Sequence, residues 1–389
     1  MILNPNLRTA AASPIMEAQA WVDAASFAPD RPLLNLSQAA PSGGPPVALR
    51  AHLAEAMLHD ETAHFYGAVL GNDDLRAEIA LQWAHRYGGA IRPGQVAITA
   101  GCNQAFCAAI MSACAPGDAV MLPYPWYFNH KMWLDMAGLD CVPLPCTAAM
   151  LPDIEAARAL MTPRVRAVVL VTPNNPTGAE YPDALMHAFL DLARDHGAVL
   201  IVDETYRDFH SLDGAPHGLF SRDDWGEVLI HLYSFSKVFR LTGHRTGALI
   251  AGEARVAEVE KFLDTMTICP AQTGQIAALH GLRTLAGWVA TERAELLSRQ
   301  QVLRAAMSDS LPDWRIHGAG AYFAWVEPPW NMPGRVLARR LVDEAGVLVL
   351  PGEMFLPADQ PTRALRIAFA NTHEDGIREL TTRLTAFRP

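Results

Sequence analysis

The chain has 389 residues, half of them hydrophobic and 19% charged, with a formal net charge of -10. That length exceeds what one core normally serves, and that composition supports a large buried interior, so two or more domains are expected and disorder is excluded. The acidic balance argues against nucleic acid and anionic membrane as partners, and no apolar run reaches the ~18 residues of a membrane span.

Residues 1–46 read as a helix and an extended arm, without the basic and apolar regions of a secretory signal. Residues 47–286 read as a large domain. Within it, five short apolar runs alternate with helix-length patterns: Gln95–Thr99, Asp118–Leu122, Val165–Thr172, Ala198–Glu204 and Glu227–Ser234. Such alternation predicts an α/β fold, a mostly parallel sheet sandwiched by helices such as Asp183–Asp195. Each run ends in polar residues with Gly or Pro, at the strand ends where such sheets bind ligands. Residues 287–389 read as a smaller α+β domain: a long helix Trp288–Ser310, strand-like YFAWVE, a helix Gly334–Glu344, then VLVLP and RALRIAFA. GAGAY at Gly318–Tyr322 lacks the third glycine of a dinucleotide loop and reads as a turn before a strand.

Six cysteines (Cys102, Cys107, Cys114, Cys141, Cys146 and Cys269) form no CxxC pair, so reduced thiols in a cytoplasmic protein are expected, with no metal site.

Only three of the 31 basic residues are lysines: Lys131, Lys237 and Lys261. A chain that otherwise uses arginine keeps a lysine where chemistry needs an amine that can lose its proton and bond covalently, which guanidinium cannot do. Lys237 follows an apolar strand in YSFSK and is the strongest candidate. Asp203 closes the run AVLIVD, where a carboxylate either caps the next segment or faces a protonated heteroaromatic nitrogen. Tyr206 lies three residues on. In PNNPTG a turn accounts for one asparagine and leaves Asn175 to point elsewhere. Ser234, Ser236 and Arg245, with the helix start at Cys102 and Asn103, could cup a phosphate. Tyr127 could stack on a planar ring. Arg366, inside the apolar strand of LRIAFAN, needs an anionic partner and suits a carboxylate.

Together PNNPTG, IVDETY, SFSK with GHRTG, and LRIAFAN resemble, in that order and from Asn35 to Arg388, the class I/II aminotransferases of pyridoxal-phosphate fold type I. The resemblance implies pyridoxal 5'-phosphate as cofactor and an amino acid and a 2-oxo acid as substrates. It makes Lys237 the lysine joined to the cofactor aldehyde, and Asp203 the partner of the pyridine nitrogen. Tyr206 and Asn175 would bond the ring's 3-oxygen, and Tyr127 would stack on the ring in a setting that includes His130. Ser234, Ser236, Arg245, Cys102 and Asn103 would bind the phosphate. Tyr66 would reach the phosphate of a neighbouring subunit, implying a homodimer, and Arg366 would hold the substrate α-carboxylate, helped by Asn175. Where that family often has glycine, this chain has Ala39, whose backbone would face the same carboxylate. Asp264–Gln275 contains no arginine, unlike aspartate-specific relatives, which lowers the expectation of a dicarboxylate substrate. A carbon–sulfur lyase on the same scaffold is the alternative, distinguished by release of pyruvate without an amino acceptor. A cofactor-sensing regulator is disfavoured by the acidic balance and by the short stretch before Asn35.

Overall fold

In the computed structural model residues 2–388 are described. The strands, in chain order, begin with β1 (Leu34–Asn35). Then β2 (Val96–Thr99), β3 (Ala119–Tyr124), β4 (Asp140–Pro145), β5 (Val165–Val171), β6 (Val199–Asp203), β7 (Leu229–Ser234) and β8 (Gly247–Ile250) build one sheet, ordered β2-β8-β7-β6-β5-β3-β4. Only β8 runs against its neighbours, β2 and β7. The five expected strands are all present, and β4 and β8 are additions. β5, β6 and β7 are buried at nearly every position, which continuous Val/Ile/Leu runs require when both faces of a sheet are covered. Helix Asp183–Asp195 forms as expected and turns Phe189, Leu190 and Ala193 into one of those cores. The opposite face is covered by helix Cys102–Ala113 and its neighbours.

The remaining strands are β9 (Arg315–Gly320), β10 (Phe323–Glu327), β11 (Val347–Leu348), β12 (Leu350–Pro351) and β13 (Leu365–Ala368). β11 pairs with β1, and the other four form an antiparallel sheet ordered β12-β13-β10-β9. A separate apolar core joins this sheet to helix Ala286–Ser310, helix Glu374–Ala386 and the N-terminal Ala18, Trp21 and Leu36.

One local expectation fails. Gly318 and Gly320 are not in a turn but in β9, and the turn is Ala321–Tyr322. The glycines are there for close approach. A Cβ on Gly318 would lie 2.6 Å from the Thr177 carbonyl oxygen, and one on Gly320 would lie 2.2 Å from that of Gly178. The small sheet is thereby pressed against the PNNPTG loop of the large one.

Candidate active site

The carboxyl ends of the parallel strands, the arm residues 13–15 and 38–40, and Arg366 of β13 surround one cavity of about 360 Å³. Lys237 sits in the short helix Phe235–Val238 directly after β7. Its Nζ donates to the Ala39 carbonyl at 2.5 Å. Burial, reinforced by the cations Arg245 and Arg366, brings its pKa down to about 8. An amine next to two guanidinium groups loses its proton readily.

Asp203 ends β6 and is 3% exposed. Its Oδ1 accepts from the Thr205 backbone N–H at 3.0 Å, and its Oδ2 lies 3.4 Å from His130 Nε2. Burial alone would favour the neutral acid. The bonds from His130 and Thr205 outweigh it and hold the carboxyl below the usual carboxylate range. His130 is fixed in turn by stacking on Phe106, with ring centroids 3.9 Å apart. Tyr127 stands edge-on to His130, and its hydroxyl accepts from Asn129 Nδ2 at 2.9 Å. Burial and the nearby Asp203 push its phenol up to about 12. Tyr206 packs against Tyr322 and Phe323, and burial raises its pKa well above the ordinary phenol value.

At one end of the cavity Gly101, with φ of 84°, turns β2 into helix Cys102–Ala113, whose first backbone N–H groups have no intrahelical acceptor. Arg245 lies across that helix start. Its Nη1 donates to Ser236 Oγ at 3.3 Å and to the Thr242 carbonyl at 3.1 Å. A Cβ at position 101 would sit 2.3 Å from Arg245 Nη2, so only glycine leaves room for this approach.

At the other end Arg366 is 1% exposed. Its Nη1 donates to Asn175 Oδ1 at 3.1 Å, its Nη2 donates to the Ser37 carbonyl, and its Nε has no partner. No carboxylate pairs with it among the described residues, and burial lowers its pKa to about 10. A buried cation without an anion is costly unless a ligand supplies one.

Of the thirteen positions singled out with roles above, eleven line this cavity. Ser234 does not. Its Oγ accepts from the Ser236 backbone N–H at 3.2 Å and so caps the short helix, which leaves the hydroxyl's own hydrogen to donate elsewhere. Tyr66 is 81% exposed and stands apart from its own chain's cavity. Sequence reasoning passed over Thr205, Gln38, Ile15 and Phe128, which also line it. Thr205 lies inside IVDETY, where only Asp203 and Tyr206 drew a role, and the other three arrive by chain path. The sequence placed His130 near the ring but gave no sign that it bonds Asp203.

The donor set fits pyridoxal phosphate. A fork-shaped cation and free helix N–H groups stand at one end, a depressed lysine and a buried carboxylate in the middle, and a carboxylate-seeking arginine at the other.

The family model for aminotransferases of class I and II matches residues 31–384. An aromatic aminotransferase of Arabidopsis thaliana is 28% identical over 84% of this chain and 83% of its own length. A valine–pyruvate aminotransferase of Mycobacterium tuberculosis is 29% identical over 92% and 91%. Among solved structures, the N-succinyldiaminopimelate aminotransferase of Mycobacterium tuberculosis superposes with a TM-score of 0.89 at 26% identity, over 99% of this chain and 100% of its own. The match across nearly the whole length makes this chain a member of the class I and II aminotransferases.

Proposed function

We propose that Lys237 is the proton carrier of this pyridoxal-phosphate-dependent transaminase, which moves an amino group from an L-amino acid to a 2-oxo acid. The observation that carries the reading is the convergence of three groups on one cavity: a lysine depressed to about 8, a buried carboxylate and an arginine lacking an anion. When bound, pyridoxal phosphate supplies an aldehyde that captures amines and a ring that draws electrons from the α-carbon. Arg245, Ser236 and the N–H groups of Cys102 and Asn103 would hold its phosphate. Asp203 would keep a proton on the ring nitrogen, and His130 and Thr205 would keep Asp203 ionised. Tyr206 and Asn175 would bond the 3-oxygen, with Asn175 shared with Arg366, while Tyr127 would cover the ring. Arg366 would take the substrate carboxylate and so fix which α-carbon bond stands across from Lys237 Nζ, which then takes the α-proton and returns it in the next step.

Three wider readings belong with this one. The active form is a homodimer in which Tyr66 serves the partner's site, and the chain divides at 46/47 and 286/287 into an arm that is also part of the small domain, a large domain and the rest of the small domain. A cytoplasmic location fits the cysteine usage. Among the described residues no helix is long and apolar enough to cross a membrane.

The test is chemical. Borohydride should fix the cofactor to Lys237, located by peptide mapping, and Lys237→Ala should give no such adduct. Asp203→Asn should keep cofactor and lose about 10²–10³-fold in rate, the scale on which a placed charge acts. An adduct on Lys131 or Lys261, or an Asp203→Asn enzyme at full rate, would overturn the assignment.

A further inference from the structure

Four charged side chains line the cavity: Asp203, Lys237, Arg245 and Arg366. Each already has an anion, a proton or a covalent partner to serve. No cation is left for a second substrate carboxylate. The wall that remains open to a substrate side chain is uncharged: Ser13, Ile15, Ala40, Phe128 and Asn129. Ile15 and Phe128 are also rooted in the core of the small domain, so this apolar surface is held in place rather than draped over the opening. A carboxylate brought there would lose water and meet no countercharge. A branched or aromatic side chain would bury apolar area.

The surface that would travel with Tyr66 points the same way. The Gly67 N–H donates to Cys269 Sγ at 3.4 Å, and Gln272 Nε2 donates to the Phe65 carbonyl at 3.3 Å. Segment 65–67 and segment 264–275 are therefore tied into one strip. It exposes Phe65, Met266 and Ile268, and residues 264–275 contain neither Arg nor Lys. Ile268 is held at φ 64°, ψ -58°. A β-branched residue in that region is a genuine outlier, and such strain gathers where a side chain is being aimed. A neighbour that receives Tyr66 receives with it a strip that exposes apolar side chains and carries no cation.

We propose that the substrate side-chain site selects neutral, apolar amino acids and their 2-oxo acids over dicarboxylates, with Ile15 and Phe128 as the selecting wall. This rests on the assignment of Lys237 and Arg366 given above. The experiment uses the holoenzyme in single-turnover half-reactions with leucine, methionine, phenylalanine, aspartate and glutamate. It is paired with calorimetric Kd values for 2-methylleucine and 2-methylaspartate, which bind without an α-proton to lose. The best apolar substrate should react about 100-fold faster than either dicarboxylate at limiting concentration, the range in which a hydrophobic pocket discriminates. The two Kd values should differ in the same direction. Ile15→Arg should move the aspartate-to-leucine ratio toward aspartate by about tenfold, as one gained ion pair allows, and Ile15→Val should retain the original order. Aspartate or glutamate within about threefold of the best apolar substrate, or an Ile15→Arg enzyme with an unchanged ratio, overturns the selectivity and leaves the transaminase reading standing. Silence with every amino acid overturns both.

Discussion

Lys237 is a residue whose protonation state is set by its neighbours. Burial comes first, then the positive charges of Arg245 and Arg366, and together they bring the amine from an ordinary 10.5 to about 8. Covalent capture of an aldehyde needs the neutral amine. Below pH 8 the ammonium form dominates and capture should slow about tenfold per pH unit, while above pH 8 it should level off. Stripping the cofactor and timing its recapture from pH 6.5 to 9.5 checks this. A rate still climbing at pH 9.5 would mean an unperturbed lysine. At the same scale, the two asparagines of PNNPTG divide their work. Asn174 holds the turn, its Oδ1 accepting from the Thr177 N–H at 3.0 Å and hydroxyl at 2.8 Å, and Asn175 reaches Arg366 across the seam. The sequence argument that a turn needs only one of them was sound. For Ser234 it offered a phosphate ligand, and a serine before a helix looks the same whether it caps the helix or binds a ligand.

Among elements, β6 shows how a strand separates two kinds of chemistry. Asp203 faces the cavity, and Glu204, the next residue, faces the opposite side and is fully buried. There Glu204 Oε2 accepts from the Tyr87 hydroxyl, and it lies 2.7 Å from His231 Nε2 and 3.4 Å from His217 Nε2. Burial works against the Glu204 carboxylate, but the histidines outweigh it and hold its pKa well below the ordinary 4.5. Burial lowers the His231 pKa from 6.5, and Glu204 only partly opposes it. Both directions give the same sign. As pH falls below 6.5 the unfolded chain takes up a proton that buried His231 declines, so stability drops; further down, protonating Glu204 removes the rest. The melting temperature should be flat from pH 7 to 8 and fall steadily below pH 6.5. His231→Gln should melt lower at pH 7.5 yet show a shallower fall. An identical slope in that variant would place the acid sensitivity elsewhere. None of this cluster was legible beforehand, since IVDETY marks the front of the strand and nothing in the spacing pairs Glu204 with residues 87, 217 and 231. The strands themselves were readable where both faces are buried. β4 was missed because Pro143 and Pro145 argue against a strand, and it escapes that rule by lying at the sheet edge. β8 was missed because it is four residues long and follows the Lys237 helix without the crossover helix that a parallel strand needs.

On the scale of the whole molecule, the cavity belongs to neither core alone. Lys237 and Asp203 come from the large sheet, Arg366 from the small one, and Ala39 from the arm running between them. Composition and periodicity located the two sheets, but the way glycines 318 and 320 press them together could be seen only in three dimensions. Tyr66 completes the picture only if a second chain is present. It stands 81% exposed beside exposed Phe65, and the bonds Gly67–Cys269 and Gln272–Phe65 tie both to the strip that exposes Met266 and Ile268. Apolar side chains gathered in one exposed strip are the kind of surface that a partner covers. Light scattering should give a dimer, and subunit mixing tests whose site Tyr66 serves. Lys237→Ala and Tyr66→Ala enzymes, each impaired, are unfolded together and refolded as equal parts. If Tyr66 crosses to the partner, each hybrid dimer regains one intact site. Random pairing makes half of the dimers hybrid, so activity should rise toward about a quarter of the unmutated value. If Tyr66 serves its own chain, no pairing restores a complete site, and the mixture stays at the average of its parts.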